Sequence, residues 1–207
     1  MERSFHSPAG SGLYLSLILR PHCPANKLLH LTCAAAVAMC RAIENSTSYL
    51  PEVKWINDLI GDGKKLGGIL TELSIDSKTR LVNYAVLGIG INCTQAPTDF
   101  PPELQSIATS LKAVTGSEPD IPRLAASAIF ALWQMHKDLL VKKSSIMTDY
   151  RNRCSTCGKD IWILRGDSKT AATALSVDED GGLLVRLTDG TTVTVHSGEV
   201  SIRTQHT

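Results

Sequence analysis

Two adjacent glycines, Gly67 and Gly68, follow two lysines in the stretch Lys64-Lys65-Leu66-Gly67-Gly68-Ile69-Leu70. Paired glycines inside a strand cost backbone entropy and forgo side-chain packing. They make sense where a ligand or another backbone must approach closely. A cation at Lys65, entering such a strand, can meet a carboxylate or phosphate lying over the bare backbone. Just upstream, Lys54-Trp55-Ile56-Asn57-Asp58-Leu59 brings a strand to a polar turn, where Asn57 and Asp58 offer an amide and a carboxylate. A third stretch, Gly88-Ile89-Gly90-Ile91-Asn92, alternates glycine with isoleucine. In a strand its two glycines share one face and leave room for a flat ligand, while the isoleucines take the other. It is not the dinucleotide fingerprint, because a third glycine and a following helix are missing. Each residue also has a plainer reading. Lys65 can be a solvated charge beside Lys64, Asp58 a turn residue, Gly88 and Gly90 a bulge, and Asn92 a strand end.

The elements that must carry these residues follow from periodicity. Residues 13–19 read as a strand, with Leu13, Leu15, Leu17 and Leu19 on one face and Tyr14, Ser16 and Ile18 on the other. Pro21 and Pro24 break it, and Pro24 suits the first turn of a helix over 25–44, ending near Asn45. A short strand is expected around 53–55. Runs 67–75 and 81–91, joined by the polar stretch 76–80, read as a hairpin. Residues 94–120 are mixed, with a short helix expected over 106–114. Asp120 as N-cap, Pro122 in the first turn, and Leu124, Ala128, Leu132, Met135 and Leu139 at helical spacing define a clearer helix. Trp133 and Met135 read as its core stripe, and His30 and His136 as structural. A further helix is expected over 146–153.

The pattern changes beyond Gly158. Short β-rich runs at 161–164, 171–177, 183–187 and 191–195 are separated by Gly166-Asp167, Asp180-Gly181-Gly182 and Asp189-Gly190, which are hairpin signals. The sequence therefore divides into 1–156 and 157–207, the second part reading as a small all-β barrel.

The 207 residues are 43% hydrophobic and 20% charged, an ordinary globular composition. Lys plus Arg is 21 against 20 for Asp plus Glu, so nothing suggests a nucleic-acid surface, and no DNA partner is expected. With no apolar run long enough to span a bilayer and no signal-peptide core at the start, no membrane association is expected and the location implied is cytoplasmic. Six cysteines fit a reducing compartment. Cys154 and Cys157 form a lone CxxC without a second ligand pair, so no metal site is expected.

Taken in order and spacing, residues 54–59, 65–70 and 88–92 resemble the biotin–protein ligases. The stretch 7–16 is similar to the strand that follows that family's ligand loop, and 197–203 to its C-terminal domain. The resemblance implies an α/β (α+β) fold, with a mixed sheet backed by helices and an SH3-like small β-barrel at the C-terminus. It implies a two-step ligase that uses biotin and ATP and carries biotin to a lysine of a biotin carboxyl carrier protein. The first step brings two anions together and needs fixed positive charge and Mg²⁺. By resemblance Lys65 contacts the biotin carboxylate and the α-phosphate, and Asp58 is metal-linked or orients the attacking amine. Gly68, Gly88 and Ile91 belong to the biotin site. Asn92 and Arg203, with Trp55 and Asn57, belong to the nucleotide side, Trp55 as a wall. The family's sheet-edge homodimers make a dimer through strand 13–19 conceivable.

The family's Gly-Arg-Gly-Arg-type loop, which precedes the equivalent of Arg3-Ser4-Phe5, has no counterpart here, nor does the helix-turn-helix domain of its DNA-binding members. The expectation is that this chain alone is impaired as an enzyme, because that loop closes over the adenylate. A non-catalytic module binding biotin or carrier is the alternative. A lipoate or octanoate transferase ranks lower, because that group lacks the Trp-x-Asn-Asp pattern of Trp55 to Asp58.

Overall fold

The computed structural model describes residues 7–196 and 201–204, with the side chain of Ile202 alone described in the second stretch. Strands β1 (Gly12–Leu19), β2 (Glu52–Lys54), β3 (Asp58–Gly61), β4 (Lys64–Ile75) and β5 (Val82–Asn92) form one sheet in the order β1-β5-β4-β3-β2. Every neighbouring pair is antiparallel, which corrects the expected mixed sheet. Tight turns join β2 to β5 in succession, and a short turn returns each strand beside the last in the opposite direction. Strand β3 was not foreseen from sequence, where its four residues merge with the polar turn. The hairpin of β4 and β5 matches its expectation.

The crossover between the edge strands β1 and β2 is α1 (Leu31–Thr47). It starts six residues later than expected, because Ala25–Lys27 close a single 3₁₀ turn after Pro24. Ala34, Ala35, Ala36, Ala38 and Ala42 are all buried, and such small side chains let α1 approach α3 (Ile121–Asp138) and α4 (Lys143–Arg153) closely. Helix α3 begins as read: the Asp120 carboxylate accepts a hydrogen bond from the Arg123 amide, and Leu124, Ala128, Leu132 and Met135 are buried. Trp133 is 52% exposed, against its expected place in the core stripe. One residue past Leu132 turns it about 100° from the buried line, and it lies beside Phe130 with the Lys137 ammonium over its ring. The short helix expected over 106–114 shrinks to α2 (Leu111–Thr115), capped by the Ser110 hydroxyl.

A second antiparallel sheet holds β6 (Asp160–Arg165), β7 (Ser168–Val177), β8 (Leu183–Leu187), β9 (Thr192–Val195) and β10 (Ser201–Thr204), in the order β10-β6-β7-β8-β9. Gly181 and Gly190 both have φ +87°, a conformation open to glycine at little cost, at the turns the Asp-Gly signals marked. Among the described residues β9 and β10 are the two edges, and the pairing is an open ladder. No helix of the described residues is long and apolar enough to cross a membrane.

The second sheet is tied to the first through Trp55 and α4. The buried Trp55 indole N–H donates to Gly181 O at 2.9 Å, and its backbone N–H donates to Thr156 Oγ1 at 2.9 Å. Tyr150 donates to Ile56 O at 3.1 Å, and Arg151 pairs with Glu179 at 3.0 Å. Replacing Trp55 by Phe keeps an aromatic ring and leaves the buried Gly181 carbonyl unmet. Urea unfolding should show a loss of about 1–3 kcal/mol.

His30 is buried, and its Nε2 donates to Leu139 O at 2.9 Å. Burial pushes its pKa below the ordinary 6.5 despite that bond. The unfolded chain therefore takes up the proton first, so this contribution to stability is complete above pH 6.5 and is lost as pH falls below it. Denaturation midpoints measured across pH 7 to 5 should fall for the native chain, and fall less for His30→Gln.

Candidate functional site

Backbone pairing aligns Tyr14, Gly90, Gly68, Asp58 and Lys54 in one row across all five strands. Directly opposed residues share a face of the sheet. The adjacent row, Leu13, Ile91, Gly67, Leu59 and Val53, is buried and faces the helices. The Tyr14 row therefore lies on the face turned away from them. Next along that face come Ser16, Gly88 and Leu70. Two rows thus share a strip where β5 carries no side chains, bordered by Tyr14 and Leu70.

Lys65 stands three residues before Gly68, a spacing that in a regular strand puts the two on opposite faces. A bulge removes the conflict. Leu59 pairs with Gly67 and Ile60 pairs with Lys65, so Leu66 is an extra residue opposite the β3 bond between them. The extra residue shifts the parity of β4 by one and turns Lys65 to the side of Asp58 and Gly68. Bulges re-aim side chains in this way beside active sites. Lys65 Nζ donates to Asp58 Oδ1 at 2.5 Å, with the side chains 41% and 28% exposed. At that exposure the pair contributes no more than about 1 kcal/mol to stability. Its ammonium remains open to a ligand.

The paired glycines serve different needs. A Cβ on Gly67 would lie 2.5 Å from the backbone oxygen of Gly90, so this glycine lets two strands approach. A Cβ on Gly68 would lie 3.4 Å from Lys65 Cε and 3.6 Å from Asp58 Oδ1, against the ion pair itself. A Cβ on Gly88 would find nothing closer than Leu70 Cβ at 3.7 Å. No packing within the described residues demands a glycine there.

At the end of β5, Asn92 is 4% exposed, and its Nδ2 donates to Thr109 O at 2.9 Å. Thr109 N in turn donates to Lys65 O at 2.9 Å, and Lys65 N donates to Ile107 O at 2.7 Å. The segment around Ala108 thus runs beside β4 as a short bridge and connects Asn92 to the backbone of Lys65. Burial raises the Tyr14 phenol above its usual range, against hydrogen bonds from Ser11 and Gln95.

Of the residues singled out from sequence, the structure gathers Lys65, Asp58, Gly68 and Gly88 on one face, with Asn92 at its end. The Ile91 side chain is fully buried on the opposite, helix-facing side. Asn57 Nδ2 donates to Ile69 O at 2.7 Å and fastens the turn to β4. Trp55 is engaged at the junction with the second sheet rather than along the bare strip. Arg203 lies on β10 opposite Trp162, and its side chain is outside the described residues. No group of three or more His, Cys, Asp or Glu that could hold a metal occurs among the described residues, where Cys154 and Cys157 are free thiols. Sequence reasoning missed the bulge at Leu66 and the contributions of Gln95, Thr109 and Ser110. The bulge leaves no compositional mark, and the others lie in a proline-interrupted stretch without periodicity.

A lysine and a carboxylate thus lie over a glycine-bared antiparallel sheet that is joined to a small second β unit. Residues 1–92 match the Biotin/lipoate A/B protein ligase family, and residues 156–203 match the Biotin protein ligase C terminal domain. The chain belongs to the biotin protein ligase family, of which it carries catalytic-domain and C-terminal-domain sequence. It is 34% identical over 191 residues to the bifunctional ligase/repressor BirA of Bacillus subtilis, covering 92% of this chain and 58% of that protein. It is 30% identical over 174 residues to the biotin--[acetyl-CoA-carboxylase] ligase of Mycobacterium tuberculosis, covering 82% of this chain and 61% of that one. The chain thus spans about three fifths of the length of these relatives. The biotin protein ligase from Aquifex aeolicus in complex with biotin and ATP superposes with a TM-score of 0.78 at 28% identity, covering 94% of this chain and 79% of that one.

The glycines separate experimentally. Gly67→Ala should lower stability by about 1–3 kcal/mol in thermal or urea unfolding, because the new methyl meets backbone. Gly88→Ala should stay within about 0.5 kcal/mol of the native chain.

Proposed function

We propose that this chain activates biotin with ATP and transfers it to a carrier-protein lysine. The observation that carries the reading is the Lys65 ammonium, turned by the Leu66 bulge over the strip bared by Gly68 and Gly88. Biotin's ring system is flat and uncharged and suits a floor without side chains, while its carboxylate needs a cation at the end of that floor. The family membership and the complex of the Aquifex aeolicus relative with biotin and ATP support the same assignment.

In the first step a carboxylate oxygen of biotin attacks the α-phosphorus of ATP, and pyrophosphate leaves. Lys65 stands between the two anions and offsets the repulsion that would keep them apart, which a preorganised charge does without reorganising at the moment of reaction. Asp58 fixes the ammonium in the absence of ligand and shares it once the anions arrive. Asn92, buried at the end of the strip, holds the nucleotide part. In the second step the carrier's lysine amine attacks the acyl carbon of biotinoyl-AMP. An amide forms, AMP departs, and Asp58 orients the incoming amine. Mg²⁺ fits this site as an ion that travels with the ATP phosphates, with Asp58 as a single protein oxygen, since such ions are held by one or two carboxylates plus substrate phosphates. The carrier is a biotin carboxyl carrier protein, in keeping with the name of the Mycobacterium tuberculosis relative. β1 is an edge strand, the position that a sheet-edge homodimer requires.

The test is biotin-dependent exchange of pyrophosphate into ATP. Lys65→Ala should slow it by about 10²- to 10³-fold, the range for removing one preorganised charge donor. Exchange at the native rate would remove Lys65 from the chemistry. Equilibrium binding of biotin without any exchange in the native chain would replace the ligase reading by that of a binding module.

A further inference from the structure

The amide that the preceding reading places against the nucleotide does not hold itself in position. Asn92 Nδ2 donates to Thr109 O at 2.9 Å, and Asn92 Oδ1 accepts from Gln95 Nε2 at 3.5 Å. Gln95 is 1% exposed. Its backbone oxygen accepts from Ser110 Oγ at 2.6 Å, and Ser110 Oγ in turn caps α2 by accepting from Ala113 N at 3.2 Å. Because Thr109 and Ser110 are neighbours, the contacts close a ring through Asn92, Thr109, Ser110 and Gln95. The backbone of Lys65 hangs from the same ring, through Thr109 N to Lys65 O at 2.9 Å.

We infer that Gln95 is a positioning residue for the nucleotide end of the site, holding the Asn92 amide in one orientation. The inference deepens the ligase reading and rests on it. A side chain retained at position 95 for packing alone would be apolar. Met has nearly the same length and would leave no buried polar atom of its own. Gln95 instead leaves its Oε1 without a partner among the described residues, at a cost that an apolar residue avoids. What the amide gains in return is a bond to the Tyr14 phenol and its N–H on Asn92 Oδ1, the one partner of that oxygen among the described residues. Thr109 O fixes the nitrogen end of the Asn92 amide, and the Gln95 contact holds its oxygen end, so the amide plane is set from both sides. An asparagine amide has two N–H groups and two oxygen lone pairs, so one donor and one acceptor remain for a ligand at a fixed address. Without Gln95 the amide keeps only its bond to Thr109 O and can swing about it, which spreads the remaining donor and acceptor over a range of directions.

The substitution Gln95→Met separates positioning from support of the fold. It removes one unmet buried acceptor, Gln95 Oε1, creates another, Asn92 Oδ1, and gives up one bond to the part-exposed Tyr14 phenol, so the melting temperature should stay within a few degrees. Titration calorimetry on the full chain, with MgATP and separately with biotin, is the readout. The dissociation constant for MgATP should rise about fivefold to tenfold, and that for biotin should stay within about twofold. Gln95→Glu, which keeps the shape and replaces the donor by an acceptor, should weaken MgATP at least as much. In an Asn92→Ala background Gln95→Met should have no further effect on MgATP, because a residue acting through Asn92 has nothing left to position. Unchanged MgATP affinity in Gln95→Met overturns the inference and leaves the ligase reading intact. Loss of both affinities together with a lowered melting temperature overturns it in favour of a fold-supporting role. A native chain that binds biotin and no MgATP removes the ligase reading, and this inference with it.

Discussion

The contact between the Lys65 ammonium and the Asp58 carboxylate over Gly68 brings together three separate strand decisions. β3 must begin with Asp58 on the outer face. β4 must carry an extra residue at Leu66, so that Lys65 turns to the same face. Gly68 leaves open the space beside the pair, where a Cβ would come into ordinary contact with Lys65 Cε and Asp58 Oδ1. A lysine on the other face would sit among the apolar residues under α1, where an unpaired charge is costly. The sheet therefore has one arrangement in which the cation is both paired and available, and the bulge provides it.

The rest of the catalytic-domain sheet can be understood as support for that face. The buried row Leu13, Ile91, Gly67, Leu59 and Val53 fixes the inner surface, so the register of all five strands is set by apolar burial. A slip of one residue would bring glycines to the core and isoleucines to the outer strip. The same constraint that packs α1 and α3 on the sheet thus keeps the outer strip bare. Ile91, read from sequence as a residue near biotin, acts from beneath as part of this inner row.

Position matters as much at the junction of the two β units. Trp55 sits one turn from Asp58, and its indole is committed to Gly181 in the second sheet. The polar turn that presents Asp58 is therefore held from the other unit. Asn57 fastens it from the near side through Ile69 O. Residues that look like ligand contacts in a linear motif divide here into those that face the strip and those that hold the motif's frame. Family membership alone does not make that division.

The sequence by itself determined the alternation of β1, the β4–β5 hairpin, the Asp120 cap, the Asp-Gly turns of the second sheet, and the lysine and glycines that mark the site. These are local properties, carried by residues within a few positions of one another. The tertiary structure decided which face Lys65 takes, because one bulged residue reverses strand parity without changing composition. It also decided that all five strands of the first sheet run antiparallel, that Trp133 points outward, that Asn92 is tied to Thr109 and Gln95, and that Trp55 bonds Gly181, 126 residues away. Those outcomes depend on where distant backbone groups lie once the chain is closed on itself. A hydrogen bond has no periodicity to announce it when its two ends are separated by half the chain.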